Sequence, residues 1–286
     1  MTKIEDPKWV VTDQESEQKL VTFLKSKMDE YSLKQLKRCL EENLCTINGI
    51  TERFAKALVF KGDIVTFKPI KIEQKKDHQV FEKSRILFED QHLFIYNKPA
   101  GITSEGFKTG LFLIHRLDIG TTGVLMFAKT EFILNDMIAL FRKHSVKKVY
   151  LAIVEGSPKL QSGVVDNYLG KKLSYEGQTI WGSVPKEKGV RAVTEWKVEK
   201  LGKSISLIRC YPKTGRTHQI RVHLNEMNLP ILGDYHYCRT FKSTFQAKRC
   251  LLHAYKVKFP HPKSGAMMEI EAPIPEDFAL ALKEIL

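Results

Sequence analysis

Apolar residues recur along this chain with two periods, and the change from one to the other divides it. Leu20, Phe23, Leu24 and Met28 fall at helical spacing. Ser32, with Gln35 three residues on, has the form of a capping box and opens a second helix. That helix carries Leu33, Leu36 and Leu40 on its apolar side, while Lys34, Lys37 and Arg38 project from its other positions. The segment CTINGIT centres on Asn48-Gly49, the pair that best suits a two-residue hairpin turn. KGDIVTF at 61–67 then reads as a closing strand. Residues 15–67 are therefore expected to form a small helix–helix–hairpin–strand unit, preceded by a loose tail over 1–14. The polar, lysine-rich stretch 68–80 reads as a linker.

From residue 81 the pattern becomes one of strands. ILFED and LFIYNKP flank Gln91-His92, which predicts two strands joined by a turn. KPAG at 98–101 ends the second of them, and a short loop, ITSEGFKTG, leads to LFLIHRLD. The apolar run at 124–128 predicts a buried strand. Ile133, Met137, Leu140, Phe141 and His144 then give an amphipathic helix. Residues 147–156 alternate, with Val149, Leu151 and Ile153 on one side and Tyr150, Ala152 and Val154 on the other. The segment 157–190 is rich in Gly, Lys and turn residues and shows no period. Strands resume at VTEWKVEK and SISLIRCYP. TGRTHQIRVHLNEM at 214–227 passes from strand to helix, with Thr217 as the candidate cap. A turn-rich loop, a further strand at LLHAYKVKFPHP and a short helix over 277–286 complete the chain.

Composition adds a partner class. The chain of 286 residues carries 46 Lys and Arg against 33 Asp and Glu, a formal charge of +13. That excess suits a polyanion; solubility and attraction to acidic lipid are the other readings. No polybasic amphipathic helix stands beside a lipidation signal, which weighs against a membrane. The five cysteines contain no C-x-x-C pair and are odd in number, which argues for a reducing compartment and against a disulfide framework or zinc ribbon. The N-terminal stretch lacks the apolar core of a signal peptide and no apolar run reaches membrane-span length, so a cytoplasmic protein is expected. GxGxxG and the P-loop are both absent, leaving no motif for a nucleotide cofactor. No metal is expected, since His218 and His223 stand five apart and off one helical face.

Candidate chemistry centres on HRLDIGTTGVLMFAK at 115–129, where Asp118 sits beside His115 and Arg116 ahead of a buried strand. A charged loop fixed to a core strand holds a carboxylate rigidly, although an Asp in a turn also serves simply to cap it. Two other polar clusters stand at strand ends: Lys147-Lys148-Tyr150, and Arg216-His218-Gln219-Arg221.

Two resemblances follow from these residues. The first unit resembles the S4 RNA-binding domain in its order of elements, through Leu20, Phe23, Leu24, Ser32, Leu36, Asn48-Gly49 and Gly62-Asp63. That resemblance implies that the face bearing Lys34, Lys37 and Arg38 meets structured RNA; a solvated basic face is the alternative. Over residues 85–275 the chain resembles the RluA-type pseudouridine synthases. The matching blocks are NKPAG at 97–101, HRLD at 115–118 with TTG at 121–123, KVYLAIVEG at 148–156, TGRTHQIRVHL at 214–224, GD at 233–234 and LLHA at 251–254. The family more often has Ser where Thr122 stands, and the stretch between KPAG and HRLD is short here.

The resemblance implies an α+β catalytic domain over 81–286 around a mixed, mostly antiparallel sheet, preceded by the small S4-like α/β unit. The implied reaction isomerises uridine in structured RNA to pseudouridine. The bond from C1′ to N1 breaks, the uracil turns, and C5 joins C1′. Substrate and product are isomers, so no cofactor is implied. Asp118 matches the catalytic Asp, which must be ionised to attack the sugar or to stabilise cationic character there. Arg221 matches its pairing Arg, and Tyr150 the residue that stacks on the uracil. Arg116 matches an Arg that fills the RNA stack when the target base flips. Arg216, His218 and Gln219 are candidates for binding RNA phosphate, for orienting Asp118, or for buttressing the loop. The implied partner is RNA, with large ribosomal RNA ahead of transfer RNA. A rival reading is a non-catalytic ribosome-assembly factor on a retired synthase fold. A glycoside-type hydrolase would lack a second carboxylate near Asp118.

Overall fold

The computed structural model describes residues 6–68, 80–107, 110–175 and 178–285. The expected linker falls almost wholly at 69–79, outside the described residues. The chain divides into two compact units. The first holds the N-terminal residues together with 171–180 and 234–241, and the second holds the rest.

In the first unit the elements run β1 (Lys8–Val10), β2 (Gln18–Lys19), α1 (Leu20–Lys27), α2 (Leu33–Glu41), β3 (Cys45–Ile47), β4 (Ile50–Thr51), β5 (Leu58–Val59) and β6 (Ile64–Phe67). Four strands form a sheet in the order β1-β6-β3-β4, and β2 pairs with β5. Leu20, Phe23 and Leu24 of α1 and Leu36, Cys39 and Leu40 of α2 bury themselves with Val65 and Phe67. The capping box is present: Ser32 Oγ accepts from Gln35 N, and Gln35 Oε1 accepts from Ser32 N at 2.8 Å. Asn48 and Gly49 both take positive φ and close the β3–β4 hairpin. Three expectations change. Lys8–Val10 is a strand on β6 rather than tail, because Val11 beside it anchors in the core at 1% exposure. Leu33, at the first turn of α2, is 51% exposed, and Cys39 takes the inward place instead. The closing strand begins only at Ile64, after a turn in which Gly62 has φ +87°.

Beyond the N-terminal part of the chain the elements run β7 (Ile86–Glu89), β8 (Leu93–Lys98), β9 (Phe112–Leu113), β10 (Thr122–Ala128), α3 (Glu131–Arg142), β11 (Lys147–Glu155), β12 (Ser162–Tyr175), β13 (Gln178–Ser183), β14 (Val190–Lys200), β15 (Ile205–Pro212), α4 (Gln219–Glu226), β16 (Leu252–Pro260), β17 (Met267–Glu271) and α5 (Glu276–Lys283); all belong to the second unit except the last residues of β12 and the first of β13, which fall within 171–180. The strand order is β13-β12-β14-β15-β11-β16-β10-β8-β7, with β17 on β16 and β9 on β10. The β10–β16 pairing is parallel and the other described pairings of this sheet are antiparallel, so the sheet is mixed and mostly antiparallel.

Every residue of β10 is buried, as its apolar run predicts. Val124 and Met126 face Ile133 and Met137 of α3, while Leu125 and Phe127 face an aromatic cluster with Phe94, Tyr96 and Phe107. Thr122 and Gly123 pair with His253 and Ala254, which joins the TTG and LLHA blocks. A Cβ on Gly123 would stand 2.2 Å from Ala254 O, so only glycine permits this approach.

The segment 157–190 contains β12 and β13 rather than irregular chain. The inward positions of β12 hide its alternation. Gly163 lies beneath Trp196, where a Cβ would come within 3.0 Å of the ring, and Asn167 Oδ1 meets His223 Nε2 at 3.0 Å. The outward position holds Val164, 62% exposed. Val165 and Leu169 do point inward, but with Gly163 and Asn167 interleaved among them and Val164 outside, the alternation of a plain half-buried strand is broken.

Candidate active site

The loop carrying Asp118 is held by backbone bonds on both sides of that residue. Ser104 is 1% exposed; its Oγ donates to Leu117 O and accepts from Leu117 N, both at 2.9 Å. Lys98, fully buried at the end of β8, donates its Nζ to Pro99 O and Ile102 O at 2.9 Å and to Ile119 O at 3.3 Å. Three carbonyls offset the desolvation of that ammonium. Gly101 N also donates to Ile119 O, and Thr121 N closes the turn onto Asp118 O at 3.0 Å. Ser104 and Lys98 were not among the candidate residues. The KPAG block carried a signal for Lys98, but Ser104 lies in a loop with no motif of its own.

Asp118 opens onto a cleft of about 950 Å³ whose lining includes Arg116, Lys148, Tyr150, His218 and Arg221. Arg221 projects from the first turn of α4 and donates Nη1 to Asp118 Oδ2 at 3.0 Å. Its side chain is 9% exposed and that of Asp118 29%, so the carboxylate faces the cleft while its partner lies below the surface. A charge-assisted bond of this kind fixes both groups. His218 Nε2 lies 3.9 Å from the same oxygen.

Tyr150 lies in β11 where the register on β16 slips by one residue, with Tyr255 as the extra one. Such a bulge re-aims neighbouring side chains. Burial, and then the Asp118 carboxylate, push the Tyr150 phenol well above its ordinary value, so it stays protonated. Two residues earlier, Lys148 donates to Thr214 O at 3.3 Å. Burial pulls its ammonium down to about 8. Burial, then the charge of Lys148, pulls His115 down to about 4, leaving a neutral imidazole with its centroid 6.0 Å from that of the Phe141 ring.

The loop before α4 departs from expectation at its cap. His218, not Thr217, is the N-cap; it is in the left-handed region at φ 55°, and Thr217 is exposed. Gln219 does the fastening. Its Oε1 accepts from Thr214 Oγ1 at 2.7 Å and Arg216 N at 3.0 Å, and its Nε2 donates to Val193 O and Thr194 Oγ1, both at 2.9 Å. It is 4% exposed. Gln219 therefore buttresses the loop and has no donor or acceptor left for phosphate, which corrects its expected place among RNA contacts. Arg216 is exposed and donates Nε to Arg191 O at 3.0 Å. Arg116 is 71% exposed, with Nη1 3.6 Å from Glu105 Oε1. Lys34, Lys37 and Arg38 belong to the first unit, where both lysines are exposed and Arg38 pairs with Glu42 at 3.0 Å. Among the described residues no group of His, Cys, Asp and Glu is arranged to hold a metal, and no helix is long and apolar enough to cross a membrane.

A family model described as RNA pseudouridylate synthase matches residues 92–226, a span that contains Asp118, Tyr150 and Arg221. The chain is 34% identical over 232 residues to ribosomal large subunit pseudouridine synthase D of Zymomonas mobilis, covering 70% of this chain and 72% of that one. The chain belongs to the RNA pseudouridylate synthase family. Ribosomal large subunit pseudouridine synthase C of Buchnera aphidicola is 32% identical over 300 aligned positions, with 94% of each chain covered. Among solved structures, human RNA pseudouridylate synthase domain containing 4 superposes with a TM-score of 0.59 at 27% identity, covering 71% of this chain and 93% of that one. The protein is thus an RNA pseudouridine synthase, an isomerase whose substrate is RNA. Its large, mostly antiparallel sheet is the pseudouridine synthase fold. The synthase positions its cleft at the ends of β11 and β15, where the loop after β15 brings α4 against the Asp118 turn.

Proposed function

We propose that this synthase converts uridine to pseudouridine in ribosomal RNA, with Asp118 as the reacting carboxylate. The observation that carries the proposal is the Asp118–Arg221 bond of 3.0 Å on the wall of an open cleft, built on a loop tied down at residues 117, 119 and 121. The names of the curated relatives, which specify the large ribosomal subunit, favour ribosomal over transfer RNA.

The chemistry needs little more than these groups. Asp118 attacks C1′, or stabilises the positive charge that develops there, as the C1′–N1 bond breaks and its electrons leave with the uracil. The uracil turns above Tyr150, and C5 bonds to C1′; where Asp118 had bonded there, that bond breaks and the carboxylate leaves with its electron pair. C5 loses its proton and N1 gains one, so atoms and charge balance without a cofactor. A phenol held protonated serves as platform and hydrogen-bond donor rather than as a standing base. A stacked uridine hides C1′, so it must leave the helix, at a cost of a few kcal/mol. Arg116, exposed at the cleft rim, is suited to fill the gap. Arg216 and His218 then contact phosphate or keep the loop in shape.

The first unit acts in this reading as an S4-like RNA-binding domain over 15–67, joined by a linker at 68–80 to a catalytic domain at 81–286. Its helix–helix–hairpin–strand order supports this, as do exposed Lys34 and Lys37 on α2, with Arg38 beside them. The enzyme works in the cytoplasm without a nucleotide cofactor.

The test compares wild type with Asp118→Ala on ribosomal RNA. The variant is expected to form no pseudouridine while still binding RNA; normal turnover would sink the mechanism. A product of unchanged mass that retains uracil separates isomerase from hydrolase. Pseudouridine mapping of total RNA with and without the protein identifies the target.

A further inference from the structure

We propose that Arg249 is a positioning residue for the isomerisation, and that through Asp277 it makes the C-terminal helix α5 part of what holds Asp118 in place. The inference rests on Asp118 being the reacting carboxylate. Arg249 lies in the loop before β16, with its side chain 10% exposed. It forms a two-point fork with Asp277 in the first turn of α5: Nε to Oδ2 at 2.6 Å and Nη2 to Oδ1 at 2.8 Å. Its third nitrogen turns to the backbone. Nη1 reaches Cys250 O at 2.9 Å, Gly120 O at 3.2 Å and Leu252 O at 3.4 Å.

Gly120 stands two residues past Asp118, inside the turn that Thr121 N closes onto Asp118 O. One guanidinium therefore ties the Asp118 turn, the entry to β16 and the start of α5 to a single point. Packing reinforces the tie. A Cβ on Gly120 would meet Cys250 Cβ at 3.7 Å, and Phe278, next to Asp277, is fully buried. Lys98 grips the carbonyl of residue 119 from β8, and Arg249 grips that of 120 from the other side. Two cations thus hold consecutive carbonyls directly after the reacting carboxylate. Only a guanidinium has the donors to face a carboxylate with one edge and carbonyls with another; a lysine in its place supplies a single point.

The test measures single-turnover pseudouridine formation at saturating enzyme, the half-saturating enzyme concentration, and the thermal midpoint. Four variants are compared: Arg249→Met, Arg249→Lys, Asp277→Asn and Arg209→Met. The last removes an equivalent fork, Arg209 to Glu199 at 2.7 and 2.8 Å, which lies between β15 and β14. Arg249→Met is expected to slow the reaction about a hundredfold, the scale of a small misplacement of a reacting group, with half-saturation unchanged. Arg249→Lys keeps the charge without the fork and does not restore the rate. Asp277→Asn keeps an acceptor and slows the reaction less. Arg209→Met lowers the midpoint and keeps the rate.

A wild-type rate in folded Arg249→Met or Arg249→Lys overturns the proposal. So does a loss in Arg209→Met equal to that in Arg249→Met at the same midpoint. If Arg249→Met does not fold, Arg249→Lys and Asp277→Asn decide. Should Asp118→Ala keep its turnover, the reading of Asp118 fails by itself. If Asp118→Ala is inactive and the Arg249 variants are fast, only the present inference falls.

Discussion

Lys148 and Tyr150, two residues apart on β11, are both driven towards their neutral forms by burial, one downward and one upward. For Lys148 this has a consequence for stability. Its folded value of about 8 lies below the ordinary lysine value of 10.5. Below pH 8 both folded and unfolded chains carry the proton, and the folded state bears the desolvation penalty. Between pH 8 and 10.5 the unfolded chain binds more protons, so stability rises with pH across that window. Lys148→Met should remove that rise: the denaturation midpoint of wild type, relative to the variant, increases from pH 8 to 10.5. Parallel curves would show that Lys148 titrates normally. The same scale explains Gln219. A sequence names an amide beside two basic residues, but only the packing of β14 against α4 shows that all four of its bonds are taken.

Among the elements, β10 was the most legible and also sets the strictest demand. Its apolar run predicts a buried strand, yet its start depends on a backbone approach that no pattern encodes. Gly123 has φ +108°, and a Cβ there would lie 2.2 Å from Ala254 O. Gly123→Ala should destabilise the protein by about 3 kcal/mol, combining a strained φ with overpacking. The loss would appear as a lower urea midpoint, and an unchanged midpoint would mean that β10 and β16 can part freely. The capping box of α2 and the Asn48-Gly49 hairpin were legible because their bonds join residues close in sequence. β12 was not, because two of its inward positions hold Gly163 and Asn167, which meet Trp196 and His223, partners far along the chain, and so interrupt the apolar alternation of Val165 and Leu169. The cap of α4 was misplaced by one residue for a like reason: the loop before it is fixed by Gln219 and β14 rather than by a hydroxyl cap at Thr217.

For the molecule as a whole, the charge of +13 suits a chain whose substrate is RNA. If the first unit supplies phosphate contacts, the double change Lys34→Ala and Lys37→Ala weakens RNA binding and flattens its salt dependence. The slope of log K against log salt should fall by about 1.5, roughly 0.7 to 0.9 for each of the two phosphate contacts. The rate at saturating enzyme should stay at the wild-type level. An unchanged slope would make this face a solvated one. The synthase blocks were readable in the sequence, since each is a short local signature.

By itself the sequence determined the periods, the turns, the capping box and the blocks that carry Asp118, Tyr150 and Arg221, because these are properties of neighbouring residues. The tertiary structure alone decided what those residues touch. It set Arg221 against Asp118 across 103 positions of chain, and bound Gly120 to Arg249 across 129. Hydrogen bonds of about 3 Å between such distant positions follow from the strand order of one sheet, and strand order is not a local property.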